Sequence, residues 1–243
     1  MTARVGVIIP SSNRMVEQEM VQAFPVGVQP HMTRLRMTGP NRAPLAAVLP
    51  RIEEATRALT DARCEVVAFH CTANSMDEGR GGEDRILASI AGAGAPHATT
   101  TATAIRRAFD ALRARKIVLI TPYDQRTTDH EAEFLHEAGY QVLHARGFAL
   151  DGSDAYCAAP PAFWRDRVRE AARPDAEVYF VSCANIAVLG VIEELERHLD
   201  RPVVTSNQAV VWDCVARLGW PDRGGCPGRL FECGTAAAPV HAS

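Results

Sequence analysis

Two short apolar runs end on a cysteine at matching places, and this repeat limits the folds open to the chain more than any other feature. EVVAFHC (65–71) lies over EVYFVSC (177–183), so Cys183 follows Cys71 by 112 residues. VGVIIPSSNR (5–14) lies over IVLITPYDQR (117–126), and Pro122 follows Pro10 by the same 112. Two separate matches at one offset imply duplicated halves. A third, PHATT (96–100) over PVVTS (202–206), falls at an offset of 106, which a six-residue deletion in the second half would account for.

Around these anchors, β-branched runs alternate with amphipathic stretches. Strands are expected at 4–10, 28–37, 65–71, 96–100, 116–122, 141–148, 177–183 and 202–206. Helices are expected at 14–24, 42–62, 82–94, 101–114, 129–139, 161–172, 187–199 and 208–219, with Pro50 a kink or late start in the second. The alternation predicts βαβ units and parallel sheets. The expected fold class is α/β, with two pseudo-symmetric lobes, each a mainly parallel sheet flanked by helices, and the active site in the cleft between them. Residues 1–114 form the N-terminal lobe in this reading, completed by the C-terminal segment 207–243, and residues 115–206 form the second lobe. GRGGED (79–84) matches no phosphate-loop pattern and reads as a loop able to close over the cleft. The stretch from Trp220 to Ser243 reads as loop, EELERH (193–198) as a solvated helix face, and Trp164 and Trp212 as core.

Composition narrows the function classes. With 243 residues, 47% of them hydrophobic, the chain can bury a sizeable core as one large domain or two small lobes. A net charge of −3 with no basic stripe argues against nucleic acid. The apolar runs are too short to cross a bilayer, so no membrane partner is expected, and MTARVGVIIP enters a strand without a signal-peptide pattern. A cytoplasmic protein is the expectation. Seven cysteines without a CxxC pair argue against a disulfide framework, and the eight histidines form no metal cluster.

Ligands of open parallel sheets bind beyond the carboxyl ends of the strands. Four strands here end on chemically useful residues: Ser11, Ser12 and Asn13; Cys71, Thr72, Ala73 and Asn74; Tyr123; and Cys183, Ala184 and Asn185. Half-sheets facing each other about a pseudo-dyad would bring Cys71 and Cys183 to one cleft from opposite sides. A thiol near a helix N-terminus has its pKa lowered, and can serve as base to a partner acid or add to an electrophilic carbon. The small residues after each cysteine bring backbone N–H groups close to a ligand, and Ser11, Ser12, Asn13, Thr72, Asn74, Tyr123 and Asn185 add neutral donors. Together they suit a small carboxylate substrate with no metal or cofactor. One cysteine at a strand end is more often a small buried apolar residue; the matched pair is what points to chemistry. Cys64, Cys157, Cys214, Cys226 and Cys233 lack this setting and read as core or surface thiols.

These motifs resemble the aspartate/glutamate racemase superfamily, and within it the branch of maleate cis-trans isomerase and arylmalonate decarboxylase. The resemblance rests on PSSN after the first strand, CTAN after the third, SCAN in the second half, HMTRLRM (31–37) and ITPY (120–123), and it runs to about Gly219. It implies that Cys71 is the nucleophile adding to an alkene carbon, that Cys183 is the acid/base on the opposite face, and that Asn13 and Tyr123 hold the substrate carboxylates. A homo-oligomer is implied as well. Three positions depart from the family pattern. Gly152 stands where the isomerases carry an asparagine, His70 where a small residue is usual, and Asn74 where a smaller one is common. His70 is either a hydrogen-bonded structural histidine or a residue tuning the thiol. The arginines of RLRM either face solvent or steer a carboxylate. Isomerisation of a cis-enedioic acid is the leading reading. Cofactor-free decarboxylation of a substituted malonate, whose enzymes usually lack the first cysteine, and racemisation by a thiol pair are the rivals. A two-lobed binding protein is the non-enzymatic alternative.

Overall fold

A computed structural model describes residues 2–37, 44–221 and 224–233. The strands β1 (Ala3–Pro10), β2 (Val28–Leu35), β3 (Val66–Phe69) and β4 (His97–Thr100) form one parallel sheet in the order β2-β1-β3-β4. A second sheet, of β5 (Lys116–Thr121), β6 (Gln141–Gly147), β7 (Val178–Val181) and β8 (Val203–Thr205), has the order β6-β5-β7-β8. The two share topology, and their central strand pairs share register. Val5 pairs with Val66 and Ile8 with Phe69, while Ile117 pairs with Val178 and Ile120 with Val181, each residue displaced by the expected 112.

The last strand corrects the repeat by one residue. Val67 pairs with Ala98, and its counterpart Tyr179 pairs with Val203, so the offset here is 105. The helix caps agree: Thr100 accepts the Thr103 N–H, and Thr205 accepts the Gln208 N–H. The equivalent of Ser206 is therefore Thr101, and the deletion is of seven residues.

Strands buried on both faces read as unbroken apolar runs, and VVAF in β3 and VYFV in β7 are buried throughout. Alternate residues serve different cores. Val5, Val7 and Ile9 join Ile117, Leu119 and Phe180 in one cluster shared by both sheets, through α5 (Thr101–Ala111) and α10 (Ser206–Arg217). Phe109 of α5 stacks edge-to-face on Phe180 at 5.6 Å. The outward residues have separate covers. Ile8, Val67 and Phe69 pack under α2 (Leu45–Asp61) and α4 (Gly79–Gly92). Val118, Ile120 and Val181 pack under α8 (Pro161–Glu170) and α9 (Ile192–Leu199), where Trp164 is fully buried.

Several local expectations are revised. GRGGED opens α4 instead of forming a loop, with Gly82 and Glu83 buried, so it is not a lid. Pro50 stands inside α2. Glu196 in EELERH is buried, because its carboxylate accepts the Val203 and Arg229 N–H groups. That contact draws in the chain end, where α11 (Arg229–Glu232) buries Leu230 and Phe231 in the shared core. The rest of the expected C-terminal loop, from 234 on, lies outside the described residues. Residues 152–158 form an unforeseen helix, α7 (Gly152–Ala158).

A buried polar chain ties the halves together. Glu19, on α1 (Val16–Ala23), accepts the Val188 and Leu189 N–H groups of the second half at 2.6 and 2.9 Å through Oε1. Its Oε2 accepts from Asn207 Nδ2 at 2.8 Å, and Asn207 Oδ1 faces His70 Nε2 at 2.8 Å. Glu19 fixes the Asn207 amide, so His70 carries its proton on Nε2, and Nδ1 meets the Thr101 hydroxyl at 3.0 Å. His70 is thus a structural histidine, turned into the interface.

Two outcomes are expected. Burial lowers the His70 pKa to about 4, while the unfolded imidazole titrates near 6.5. Between these values the unfolded state binds the extra proton, so stability falls as pH falls. The loss should reach roughly 3 kcal/mol by pH 4. Glu19, whose pKa burial raises, acts in the opposite sense. Denaturant titrations of wild type and His70→Gln across pH 4–7 separate the two, with the variant showing the flatter acid limb. At Gly147, an added Cβ would lie 2.4 Å from the Tyr123 carbonyl oxygen and 2.5 Å from Thr128 Oγ1. Gly147→Ala should cost roughly 1–3 kcal/mol in thermal or denaturant unfolding and displace Tyr123.

Candidate active site

The carboxyl ends of the central strands of both sheets open onto one cavity of about 1180 Å³. Ser12, Asn13, Cys71, Thr72, Ala73, Asn74, Tyr123, Cys183, Ala184 and Asn185 all line it. Ser11, expected among them, does not. Its Oγ accepts the Met37 N–H at 3.3 Å, which turns the hydroxyl away, and Ser12 takes the position at the wall. The outer wall holds residues that sequence reasoning left unassigned: Arg51 from the first half, and Leu150, Ser153 and Tyr156 from the second. Of the RLRM arginines, Arg34 braces the Ser11–Asn13 loop, donating to the Asn13 carbonyl at 2.6 Å, while Arg36 reaches the cavity. Gly152 lies in the wall at a φ of +68°, with no atom within 4 Å of an added Cβ.

The two thiols sit in unlike surroundings. Cys71 is half-buried in extended backbone (φ −147°) and precedes α3 (Thr72–Met76), a single helical turn. Its Sγ donates to Asn74 Oδ1 at 3.2 Å. Cys183 is 5% exposed, and its φ of +131° lies where non-glycine residues are strained by on the order of 1–3 kcal/mol. No helix starts directly after it. The chain passes through a turn to a short 3-10 segment at Leu189–Val191. The lowering that a helix N-terminus gives a thiol is therefore not available to Cys183. Burial pushes the Cys183 thiol up to about 12, against the opposing hydrogen bonds of Tyr123 and the Asn185 N–H. Tyr123 is likewise pushed far up, by burial first and then by the nearby Cys183 charge.

Hydroxyls and amides set the spacing across the cleft. Ser206 Oγ accepts from Thr72 Oγ1 at 2.9 Å and from the Cys183 N–H at 3.1 Å, so one atom touches the segment after the first cysteine and the backbone of the second. Sequence reasoning missed Ser206. The one-residue slip in the repeat alignment hid its equivalence to Thr101, whose hydroxyl serves His70 instead. Asn13 Oδ1 accepts the Met15 and Val16 N–H groups, and its Nδ2 donates to the Ala184 carbonyl at 3.0 Å. Asn13 therefore joins the first loop to the Cys183 turn. Asn185 Oδ1 accepts the Arg14 N–H at 2.8 Å and the Cys157 Sγ–H at 3.3 Å. Cys157, read above as an ordinary thiol, thus stands directly behind the site. Cys64, Cys214 and Cys226 are buried away from it, and Cys233 is half-buried. Among the described residues no helix is long and apolar enough to cross a membrane.

The chain is 27% identical over 239 residues to the arylmalonate decarboxylase of Bordetella bronchiseptica, covering 95% of this chain and 97% of that one. It is 26% identical over 244 residues to the maleate isomerase of Nocardia farcinica, covering 94% and 95%. In three dimensions it is similar to a mutant of the Nocardia farcinica maleate cis-trans isomerase solved with a covalently bound succinylcysteine intermediate. The TM-score is 0.85 over 95% of this chain and 98% of that one, and at 24% identity this likeness speaks to the fold. The arylmalonate decarboxylase family profile matches residues 5–231, which takes in both sheets and both cysteines. With its two equivalent half-sheets and the paired thiols at their facing ends, the chain belongs to the arylmalonate decarboxylase family, in the branch of the aspartate/glutamate racemase superfamily that also holds the maleate isomerases.

Proposed function

We propose that this protein is a cofactor-independent cis-trans isomerase of a small enedioic acid of the maleate type. The observation that carries the reading is the pair of thiols, Cys71 and Cys183, lining one cavity from equivalent strand ends. In this mechanism the Cys71 thiolate adds to one alkene carbon. The π electrons move to the neighbouring carbon, which takes the proton of the Cys183 thiol, leaving a succinyl thioether. The carbon–carbon bond, now single, rotates. The Cys183 thiolate then removes the proton, the double bond re-forms, and the C–S pair returns to Cys71. The 26% identity to the maleate isomerase of Nocardia farcinica, an enzyme whose mutant was solved with a covalently bound succinylcysteine, supports the adduct. The high pKa of Cys183 suits the proton donor, and half-buried Cys71, without that strain, suits the nucleophile. Asn13 and Tyr123 are the proposed carboxylate holders, with backbone N–H groups after each cysteine beside them. The substrate is a free small carboxylate, no cofactor takes part, and a cytoplasmic homo-oligomer is the working form in this reading.

A second reading, decarboxylation of a substituted malonate, is favoured by the 27% identity to the Bordetella bronchiseptica enzyme. There the Cys183 thiol would protonate an enediolate after loss of carbon dioxide, and Cys71 would have no covalent role.

Proton NMR of the protein with maleate under reducing conditions separates the two. Wild type should form fumarate, Cys71→Ser none, and Cys183→Ser slower by roughly 10²–10⁴-fold, the usual worth of a positioned acid/base. No fumarate from wild type, with carbon dioxide released from a malonate panel, would replace the first reading by the second. The Asn74 amide offers a further check. Once Cys71 loses its proton, a turned Asn74 amide can donate to the thiolate. Asn74→Ala should slow alkylation of Cys71 by roughly tenfold, the loss of one charge-assisted hydrogen bond, measured by iodoacetamide labelling at fixed pH.

A further inference from the structure

Glu131 lies on α6 (Gln125–Glu137) behind the second thiol, with 1% of its surface exposed, and no step above uses it. Its Oε2 accepts the Ser182 hydroxyl at 2.6 Å, and Ser182 directly precedes Cys183. The Ser182 N–H donates to the Ile120 carbonyl at 2.8 Å, and the Cys183 N–H donates to Ser206 Oγ. The strained turn is thus held by a carboxylate on one side and a hydroxyl on the other. Three titratable groups act on the Cys183 thiol: Tyr123, from the loop after β5, by a hydrogen bond, and Cys71, from the other half, and Glu131, from α6, through their charges. Glu131 is the carboxylate among them. The Asn185 N–H also meets the sulfur, at 3.3 Å.

The geometry points to Glu131 as a positioning residue for the second thiol: through Ser182 it fixes the backbone at Cys183 and sets a carboxyl group behind the turn that carries the thiol. The inference rests on the reading of Cys183 as the acid that protonates the adduct carbon. It supplies what that reading needs, a reason why two thiols sharing one cleft divide the roles of nucleophile and proton donor. Burial contributes most to the high pKa of Cys183, and the Glu131 charge adds to it in the same direction. A negative charge behind Cys183 disfavours a thiolate there.

The test reads the thiol directly and uses no substrate, so it stands whether or not maleate turns over. The rate of iodoacetamide labelling at Cys183 is measured at pH 8 by peptide mass spectrometry in wild type, Glu131→Gln, Glu131→Asp and Ser182→Ala. Removing the charge should raise the Cys183 rate roughly tenfold, the effect of a one-unit fall in thiol pKa. Glu131→Asp should keep the wild-type rate. Ser182→Ala, which breaks the tether to Glu131 but leaves the charge in place, should raise the labelling by less than Glu131→Gln does. Cys214, fully buried on α10, serves as the control for loosened packing and should stay unlabelled. A Glu131→Gln rate within twofold of wild type, with Cys214 protected, overturns the inference. If Glu131→Gln exposes Cys214, then Glu131→Asp decides: a wild-type rate at Cys183 upholds the role of the charge, and a tenfold rise assigns the effect to packing and overturns it.

Discussion

One buried carboxylate, Glu19, holds the two halves in register, and the geometry of the cleft follows from it. Its two oxygens take the Val188 and Leu189 N–H groups and the Asn207 amide. The first pair fixes the segment that leaves Cys183. The last leads through His70 to the strand end that carries Cys71. A buried acceptor that meets three donors satisfies groups that would each be costly to leave unpaired. The aromatic and aliphatic core around Phe109 and Phe180 supplies attraction between the sheets, but apolar packing has no preferred register at the level of one hydrogen bond. The directional contacts of Glu19, Asn13 and Ser206 select the spacing at which the two strand ends face each other.

The halves are alike in backbone and unlike in detail, and the unlikeness bears on chemistry. Thr101 and Ser206 occupy equivalent places at the start of α5 and α10. One hydroxyl is spent on a buried imidazole, and the other bridges the cleft. Cys71 lies in relaxed extended backbone before a helical turn, and Cys183 in a strained turn with no helix directly after it. A duplicated scaffold gives two thiols at facing places, and divergence of the residues beside them gives each its own environment. Two-sided proton chemistry needs groups whose pKa values are pushed apart.

Much of this was legible in the sequence because it rests on period and spacing. The 112-residue repeat appears as an identical strand register, and the apolar runs that end in Cys71 and Cys183 are central strands opening onto one cavity. What was not legible depends on partners far apart in the chain. Glu196 looked like part of a solvated face, since nothing nearby announces that the Val203 and Arg229 N–H groups will meet it. GRGGED looked like a loop because glycine is a poor helix former, yet tertiary packing against α2 overrides that preference. Ser11 and Ser12 are neighbours of one type that both meet the Met37 backbone, Ser11 at its N–H and Ser12 at its carbonyl, and only the folded chain shows that Ser12 is the one in the cavity wall. The pKa of Cys183 was not legible either, because burial, which the sequence shows poorly, outweighs the local donors.

The backbone of Cys183 also bears on mutational drift. At a φ of +131° glycine rests without strain, whereas a residue with a side chain, cysteine included, carries a penalty. Relief on the order of 1–3 kcal/mol exceeds the 0.4–1 kcal/mol that glycine's extra freedom costs in the unfolded chain. Against this relief stands the loss of a buried side chain from the core around Val181 and Ile186, so strain and packing oppose each other at this position. Position 71 has no such conflict, because its extended backbone suits any residue. Of the two cysteines, the one at 183 is therefore the one whose backbone resists its own side chain.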